Sequence, residues 1–197
     1  MAKRLFDIAV SVIGLLALMP LLLLISLAIK LDSPGPVFFR QERIGRFGVP
    51  FRIHKLRSMR IEASSPHHQL TVENDERITR IGRLIRKWKL DELVQLLDVA
   101  QGTMSLVGPR PEVAHYVDLY PQDVRNVVLS VRPGITDPAS IRFRNENLLL
   151  AQSDNPERTY REIILPEKLA LQRDYVANRS FIGDLRIIVA TVLAILK

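Results

Sequence analysis

The feature that most constrains this chain is an uninterrupted apolar stretch near its N-terminus. Residues 8–29, IAVSVIGLLALMPLLLLISLAI, carry no charge over 22 positions. A helix of that length is long enough to cross the hydrocarbon core of a bilayer. A cleaved signal peptide is disfavoured because the apolar core is too long and no small-x-small site follows it. The stretch therefore predicts a membrane helix at the start of the protein.

Pro20 lies near the middle of this stretch. Proline removes a helical hydrogen bond and clashes with the preceding turn, so we expect a kink or a break there. Lys3 and Arg4 precede the stretch and Lys30 follows it, so the flanking charges give no inside–outside asymmetry. Two arrangements stay open on these grounds: a helix that spans the bilayer, and a re-entrant helix that returns to the face it entered. We favour the second.

The remaining composition is that of a basic catalytic unit. Lysine and arginine number 28 against 21 acids, a net charge of +7, which favours phosphate-bearing partners or an anionic membrane face. The absence of cysteine excludes disulfides, thiol nucleophiles and cysteine-based zinc sites. We predict a membrane helix over residues 1–32 and one catalytic domain, with interfacial amphipathic helices, over residues 33–197.

The hydrophobic periodicity predicts an α+β fold, mostly helical with a small sheet. The predicted elements are strands at Val37–Arg40 and Val49–Arg57 around a turn at 45–48, a loop at 62–76, a basic amphipathic helix at Arg77–Lys89, short helices up to Val128, a strand at Ile141–Asn145, a helix at Pro156–Asn178 interrupted at Pro166, and an apolar segment at Phe181–Lys197. The last segment is too short in its apolar part to span a membrane, so it packs on the core or lies at the interface.

Asp91 and Glu92 are the most informative polar pair in the catalytic part. They stand at the start of a predicted short helix, where the macrodipole and free amides favour negative groups. Two carboxylates there can hold a divalent cation against a phosphate, or one can attack phosphorus directly. The simpler alternative, which is commoner for an isolated motif, is that Asp91 only caps the helix.

Arg110 lies between Pro109 and Pro111. Pro111 restricts Arg110 to an extended conformation, so the backbone that carries its guanidinium is rigid. A rigid backbone favours bidentate binding of a phosphate. A solvated surface turn is the alternative. Arg132, before Pro133, is a second proline-held arginine.

Other basic residues are candidates of the same kind. Lys55 and Arg57 share one face of the second predicted strand and could both reach a phosphate, although a solvated basic face is commoner. The basic helix that contains Arg86 could lie on lipid headgroups or supply cations to the acidic pair. The histidines, His54 and the His67-His68 pair, lack further ligands at zinc-like spacing, so we assign them no metal role.

Taken together, these motifs resemble the bacterial sugar transferase family, the monotopic phosphoglycosyl transferases that act on polyprenyl phosphate. The likeness is carried, in order, by KRLFDIAVS, SPGPVFFRQERIG, FRIHKLRSM, DERITRIGRLIRKWKLDELVQL, SLVGPRPE and VRPGIT. It extends over nearly the whole chain. The resemblance implies a re-entrant first helix and a catalytic domain at the cytoplasmic face of the inner membrane.

The resemblance also implies the reaction and the roles of residues. Asp91 would attack the sugar-bearing phosphorus of a UDP-sugar and expel UMP, and polyprenyl (undecaprenyl) phosphate would then displace Asp91. The product would start a surface glycan, such as an exopolysaccharide, a capsule, an O-antigen or a glycoprotein glycan. Glu92, with Asp91, would bind Mg²⁺. The residues expected to bind substrate phosphates are Lys55, Arg57, Arg86, Arg110, Arg132 and Arg144.

The expected partners are a UDP-sugar, polyprenyl phosphate and membrane lipid; no nucleic acid is expected, and a homo-oligomer is left open. The chain departs from the family pattern at Met19, where relatives often have serine, at Thr103, where aspartate is common, and at residues 137–140, Asp-Pro-Ala-Ser, where relatives often have Gly-Trp-Ala-Gln. The identity of the sugar therefore cannot be carried over. The chain resembles the minimal catalytic unit, without the extra N-terminal helices of larger relatives.

Two other functions are kept as alternatives. A non-catalytic basic adaptor anchored in the membrane would explain the apolar helix and the charge, but not the joint presence of the Asp-Glu pair and the two proline-held arginines. A phosphatase acting on lipid diphosphates would use the same carboxylates with water as the final acceptor. Release of UMP only with a UDP-sugar would favour transfer over this hydrolysis.

Overall fold

The computed structural model of the protein describes residues 2–60 and 75–196. The fold is mostly helical with two small two-stranded sheets, which confirms the predicted α+β class. The α-helices are α1 (Ala2–Asp32), α2 (Arg80–Lys87), α3 (Leu96–Gln101), α4 (Ala114–Val117), α5 (Gln122–Val128), α6 (Pro138–Arg142), α7 (Glu146–Ala151), α8 (Pro156–Thr159), α9 (Leu165–Asn178) and α10 (Phe181–Leu196). The strands are β1 (Phe38–Ile44), β2 (Pro50–Leu56), β3 (Ser105–Val107) and β4 (Gly134–Thr136).

Helix α1 runs without interruption over 31 residues and passes through Pro20. Among the described residues it is the one helix that is long and apolar enough to cross a membrane, judged by length and composition. Of the two expected outcomes at Pro20, a break is not observed in this helix, and a kink stays a prediction. Proline removes a single hydrogen bond, and the turns on both sides of it remain intact.

One stripe of α1 packs against the rest of the protein. Asp7, Ser11, Ile25 and Ile29 are buried, and a Cβ on Gly14 would lie 3.2 Å from the Leu96 side chain. The other faces are exposed and carry most of the leucines of the helix. The helix therefore lies along the globular part, with a broad apolar surface facing outwards.

Both ends of α1 are fastened to the same globular part. Near its start, the carboxylate of Asp7 accepts a hydrogen bond from Ser105 Oγ at 2.8 Å. At its end, the carboxylate of Asp32 accepts one from the backbone N–H of Ile81 at 3.0 Å. Both ends of α1 therefore lie at the surface of one globular part.

Strands β1 and β2 form an antiparallel hairpin, from the pair Phe38 and Leu56 to the pair Ile44 and Pro50. A 3₁₀ turn over Arg46–Gly48 joins them. Both predicted strands are confirmed, and β1 extends to Ile44. His54 anchors the hairpin to α3, because its backbone N–H and its Nδ1 lie 2.9 and 2.7 Å from the two carboxylate oxygens of Asp98.

Strands β3 and β4 pair in parallel, and the two glycine turns that flank them touch. A Cβ on Gly134 would lie 2.1 Å from the backbone nitrogen of Gly108, and a Cβ on Gly108 would lie 2.4 Å from the carbonyl oxygen of Arg132. Each glycine thus leaves room for the other backbone. This contact explains why the Gly-Pro-Arg-Pro and Arg-Pro-Gly turns occur in one chain.

Two predictions about the helices need correction, and one predicted loop is not tested. The basic helix begins at Arg80 and not at Arg77, because Thr79 caps it and accepts a hydrogen bond from Gly82 N at 2.9 Å. The run Pro156–Asn178 contains a π-helical segment, Tyr160–Ile164, directly before Pro166, in place of a break. The predicted loop at 62–76, apart from its last two residues, and the His67-His68 pair lie outside the described residues.

The predicted strand at Ile141–Asn145 is wrong, because Ile141 and Arg142 end α6 and residues 143–145 form the turn that leads to α7. Asp137 caps α6 and accepts a hydrogen bond from the backbone N–H of Ser140 at 2.6 Å, and Pro138 follows in the first turn. Asp followed by Pro is a strong helix start. These two residues outweigh the alternation of basic and apolar side chains that suggested a strand.

Helix α10 packs on the β3–β4 region and leaves one apolar face exposed. Thr191 Oγ1 lies 2.7 Å from Thr136 Oγ1, and Asp184 is buried, where it pairs with Lys3 and accepts a hydrogen bond from Tyr175 at 2.8 Å. The outward face carries Ile182, Val189, Val192 and Leu193. The expected packing on the core is confirmed, and the placement of the helix at a membrane interface stays a prediction.

Candidate active site

The carboxylates of Asp91 and Glu92 lie in the first turn of a 3₁₀ helix, Leu90–Gln95, that leads directly into α3. The chain reaches this helix from α2 through Lys89, whose backbone is left-handed at φ 54° and ψ 24°. Asp91 is only 6% exposed, and the Glu92 side chain 13%. The pair occupies the helix start that the sequence predicts, and it is largely shielded from solvent.

Two cationic side chains bind the carboxylate of Glu92. Its Oε1 accepts a hydrogen bond from Lys55 Nζ at 3.1 Å and another from the guanidinium of Arg110. Burial alone would raise the pKa of Glu92, but Arg110, and then Lys55, outweigh burial and hold that pKa well below its usual range. Glu92 is therefore ionised at neutral pH and fixed in place.

The carboxylate of Asp91 is in a different environment from that of Glu92. Its Oδ1 is buried and has no hydrogen-bond partner within residues 2–60 and 75–196. Burial raises the pKa of Asp91, and the adjacent charge of Glu92 raises it further, while Lys55, Arg86 and Lys89 lower it in part. A carboxylate oxygen with free lone pairs is left available to a cation or to phosphorus.

Hydrogen bonds fix both the backbone and the side chain of Arg110. Its backbone N–H donates to Asp137 Oδ2 at 3.0 Å, and its guanidinium donates to the carbonyl of Ile135 at 3.1 Å as well as to Glu92. Asp137 is fully buried and also accepts a hydrogen bond from Gln172 Nε2 at 2.8 Å. The guanidinium is thus fixed beside the acidic pair.

Two further cations border the carboxylates. Arg86 lies close enough to lower the pKa of Asp91, and its guanidinium is 3.5 Å from Ser58 Oγ. Lys89, which the sequence-based prediction did not include, lies near both acids. Burial lowers the pKa of Lys89; Glu92 opposes this effect, and the positive charge of Arg110 adds to it.

The structure brings together five of the sequence-predicted residues, Asp91, Glu92, Lys55, Arg86 and Arg110, but it does not bring Arg57 to them. Arg57 is 2% exposed and donates to the carbonyls of Ser33 and Pro34, both at 2.7 Å, just past the end of α1. Strand β2 ends at Leu56, so the alternation that placed Arg57 on the face of Lys55 no longer applies. Arg57 secures the C-terminal end of α1.

Within the described residues, Arg132 and Arg144 make no hydrogen bond or ion pair to the acidic pair. Arg132 donates to the carbonyl of Gly102 at 2.8 Å. Arg144 lies between α6 and α7 and makes no hydrogen bond or ion pair to Asp91 or Glu92 in the described part of the chain. We leave both arginines out of the site proposed below.

Sequence reasoning missed Lys89, Asp137 and Gln172. The dipeptide Asp137-Pro138 is a recognisable helix start, and so the capping role was accessible. The contact between Asp137 and the Arg110 backbone was not, because 27 residues separate the two positions. Nothing in the local sequence marks the left-handed backbone of Lys89.

The site pairs a carboxylate that two cations bind with a carboxylate that has an unpaired oxygen in the described chain. Four basic side chains surround the pair, and such a site is suited to phosphorylated substrates. Comparison with known proteins agrees with this description: the chain belongs to the bacterial sugar transferase family, whose profile matches residues 1–197. It is similar, at 38% identity over 98% of its length, to a UDP-glucose:undecaprenyl-phosphate glucose-1-phosphate transferase of Caulobacter vibrioides.

Two other relatives extend the comparison. The chain is 40% identical over 98% of its length to exopolysaccharide production protein PSS of Rhizobium leguminosarum, and covers 94% of that protein. It is 35% identical over 96% of its length to a UDP-glucose:undecaprenyl-phosphate glucose-1-phosphate transferase of Escherichia coli. The chain spans 69% of the Caulobacter protein but 39% of the Escherichia coli protein.

Proposed function

We propose that the protein transfers a sugar phosphate from a UDP-sugar to polyprenyl phosphate and releases UMP. The observation that carries this proposal is the unpartnered, buried Oδ1 of Asp91 beside a Glu92 that Lys55 and Arg110 hold in place. The two relatives named as glucose-1-phosphate transferases supply the acceptor class, since their names specify undecaprenyl phosphate. The product would be the first lipid-linked intermediate of a surface glycan.

The first step is attack by the carboxylate of Asp91 on the sugar-bearing phosphorus. A bond forms between a carboxylate oxygen and phosphorus, the phosphoanhydride bond breaks, and its electron pair leaves with UMP. Because burial and Glu92 disfavour the charge on Asp91, the ionised carboxylate is poorly stabilised in the free protein and gains by bonding to phosphorus. No proton has to be removed, since the nucleophile is already an anion.

The second step regenerates the protein. A phosphate oxygen of polyprenyl phosphate attacks the same phosphorus, and the bond to Asp91 breaks to give back its carboxylate. Arg110 and Arg86 balance the negative charge of the phosphoryl group in both steps. The fixed backbone of Arg110 keeps its guanidinium in position while substrates exchange.

We further propose that Asp91 and Glu92 hold Mg²⁺. In the described residues no group of three or more His, Cys, Asp or Glu side chains is placed to bind a metal. Mg²⁺ is commonly bound by one or two carboxylates together with substrate phosphates, and the orphaned Oδ1 of Asp91 fits that arrangement. When bound, the ion would neutralise charge on the diphosphate as UMP departs.

We place α1 within one leaflet, with both its ends at the cytoplasmic face of the inner membrane. Two contacts support this arrangement: the one between Asp7 and Ser105, and the one between Asp32 and Ile81, which fasten opposite ends of the helix to one globular part. The exposed apolar faces of α1 would then contact acyl chains. This arrangement brings the acidic pair to the depth at which the phosphate of the lipid acceptor lies.

The test of transfer is intact-mass analysis of the full chain incubated with Mg²⁺ and a panel of UDP-sugars, with UMP measured in parallel. We expect a phosphosugar adduct on the wild type and on Asp118→Asn, an exposed carboxylate, and none on Asp91→Asn. Undiminished UMP release by Asp91→Asn would contradict the proposal. Release of inorganic phosphate from a polyprenyl diphosphate, without UMP from any UDP-sugar, would favour the phosphatase, and no reaction with either substrate would favour the adaptor.

A further inference from the structure

The backbone of Lys89 adopts a conformation that lysine rarely adopts. Among the described residues, only Lys89 and Phe47 combine a side chain with a positive φ. Lys89 is the first residue after the C-cap of α2, Trp88, and its N–H donates to the carbonyl of Arg86 at 3.1 Å. Glycine or asparagine usually fills such a position, because other side chains are strained there. A lysine at this turn therefore makes the fold less stable than glycine or asparagine would.

The side chain of Lys89 is partly buried and has no bonded partner. Its ammonium makes no hydrogen bond or ion pair with any residue in the described ranges, although Asp91 and Glu92 both lie within electrostatic range. The other two cations beside Glu92 are already engaged, since Lys55 and Arg110 both donate to its Oε1. Lys89 is therefore a cation of the site whose hydrogen-bond donors are free.

A diphosphate that approaches Asp91 brings further negative charge next to two carboxylates. That approach requires a cation that can bind the new oxygens without releasing Glu92. A lysine ammonium is a compact charge with three donors and suits phosphate oxygens. The left-handed turn starts its side chain only two residues before Asp91.

We propose that Lys89 binds a non-bridging oxygen of the diphosphate of the donor substrate, and that its strained backbone is retained because it directs this side chain into the site. The proposal rests on the proposed function, in that it takes the donor to carry a diphosphate. It adds to the candidate residues a phosphate-binding lysine that the motif-based prediction omits.

Binding of inorganic pyrophosphate to the full-length protein, measured by calorimetry in detergent, tests Lys89 without requiring turnover. We expect Lys89→Met to raise the Kd about tenfold, because a charge-assisted hydrogen bond is lost. The control is Lys87→Met, which removes an exposed lysine whose ammonium lies over the Trp88 ring at 5.7 Å, and it should bind like the wild type. Lys89→Arg should retain most of the affinity.

Lys89→Gly separates the effect of the side chain on binding from the effect of the strained backbone on stability. Glycine relieves the left-handed backbone, so this variant should unfold at a higher temperature than Lys89→Met while binding pyrophosphate equally weakly. Wild-type affinity in either Lys89→Met or Lys89→Gly would overturn the proposal, as would a wild-type protein that does not bind pyrophosphate. Undiminished UMP release by Asp91→Asn would refute the proposed transfer through Asp91 and leave the binding result for Lys89 standing.

Discussion

At the scale of single residues, Asp91 and Glu92 are adjacent in the chain and yet have opposite electrostatic states. Successive side chains of a 3₁₀ helix point about 120° apart, so the two carboxylates face different surroundings. Glu92 meets Lys55 and Arg110, whereas Asp91 turns into the protein, where one oxygen has no partner in the described chain. The different roles of the two carboxylates follow from the directions in which their side chains point. From the sequence alone, either residue could be interpreted as a helix cap.

The raised pKa of Asp91 predicts an acidic limb in the pH profile. Burial and Glu92 raise this pKa, so the nucleophile is protonated as pH falls through a value above the ordinary aspartate range, about 4. The pKa of Glu92 is lowered, so Glu92 stays ionised throughout that limb. We expect kcat/KM for UMP release to fall on the acid side with a slope of one proton. A pH-independent rate down to the range of ordinary aspartates would contradict this assignment.

The same shifts predict opposite stability changes for two isosteric substitutions. The folded pKa of Asp91 is raised, so its ionised form at neutral pH costs stability, and Asp91→Asn should raise Tm while it abolishes transfer. The folded pKa of Glu92 is lowered, so its stabilising contribution is present above its ordinary pKa and is lost only as pH falls through the lowered value. Glu92→Gln leaves Lys55 and Arg110 unpaired and should cost about 3 kcal/mol. Thermal unfolding at neutral pH measures both; equal signs would refute the pair of assignments.

At the scale of secondary structure elements, Arg57 links the hairpin to the membrane helix. Its guanidinium donates to carbonyls at the C-terminal end of α1, where the helix dipole favours a cation. Arg57→Met should destabilise the protein by about 3 kcal/mol, because three carbonyls, two of them buried, lose a charged donor. The matched control is Arg52→Met, an exposed arginine on β2, the strand that precedes Arg57. A higher KM for the UDP-sugar with unchanged Tm would instead favour the phosphate-binding role predicted from sequence.

The contact between the two glycine turns controls the position of Arg110. In Gly134→Ala the new Cβ would stand 2.1 Å from the backbone nitrogen of Gly108, so β3 and β4 would have to separate. We expect a loss of about 3 kcal/mol or more, and a fall in kcat of at least about a hundredfold, because Arg110 lies two residues beyond Gly108. Gly183→Ala is the control, since its Cβ would meet only the flexible side chain of Ser180. Unchanged unfolding of Gly134→Ala would contradict the close packing.

The elements that could be predicted from sequence are those whose cause is local. The apolar run of α1, the hairpin around residues 45–48 and the acidic helix start each depend on neighbouring residues, and the structure contains all three. The strand predicted at Ile141–Asn145 failed because Asp137 and Pro138 begin a helix just before it. The positions of Arg57 and Asp137 depend on partners more than 20 residues away, and no periodicity reports such contacts.

At the scale of the whole molecule, α1 connects the apolar surface to the acidic site. The exposed faces of α1 and α10 meet where the rings of Phe6 and Phe181 pack edge to face at 5.2 Å. At the other end of α1, Asp32 holds the start of α2, which leads to the 3₁₀ helix of Asp91. The depth of α1 in a membrane therefore sets the height of the nucleophile above it.

This geometry gives a direct test of how α1 lies. The chain has no cysteine, so Ala2→Cys and Lys30→Cys, both at exposed positions near opposite ends of the helix, can be labelled singly. Because polar contacts fasten both ends to one globular part, we expect a membrane-impermeant maleimide to reach both cysteines in inverted vesicles and neither in intact spheroplasts. Asp118→Cys, exposed on the globular part, reports the side on which that part lies. Labelling of Ala2→Cys and Lys30→Cys from opposite sides would require the helix to span the bilayer, and the contacts of Asp7 or of Asp32 would then have to break.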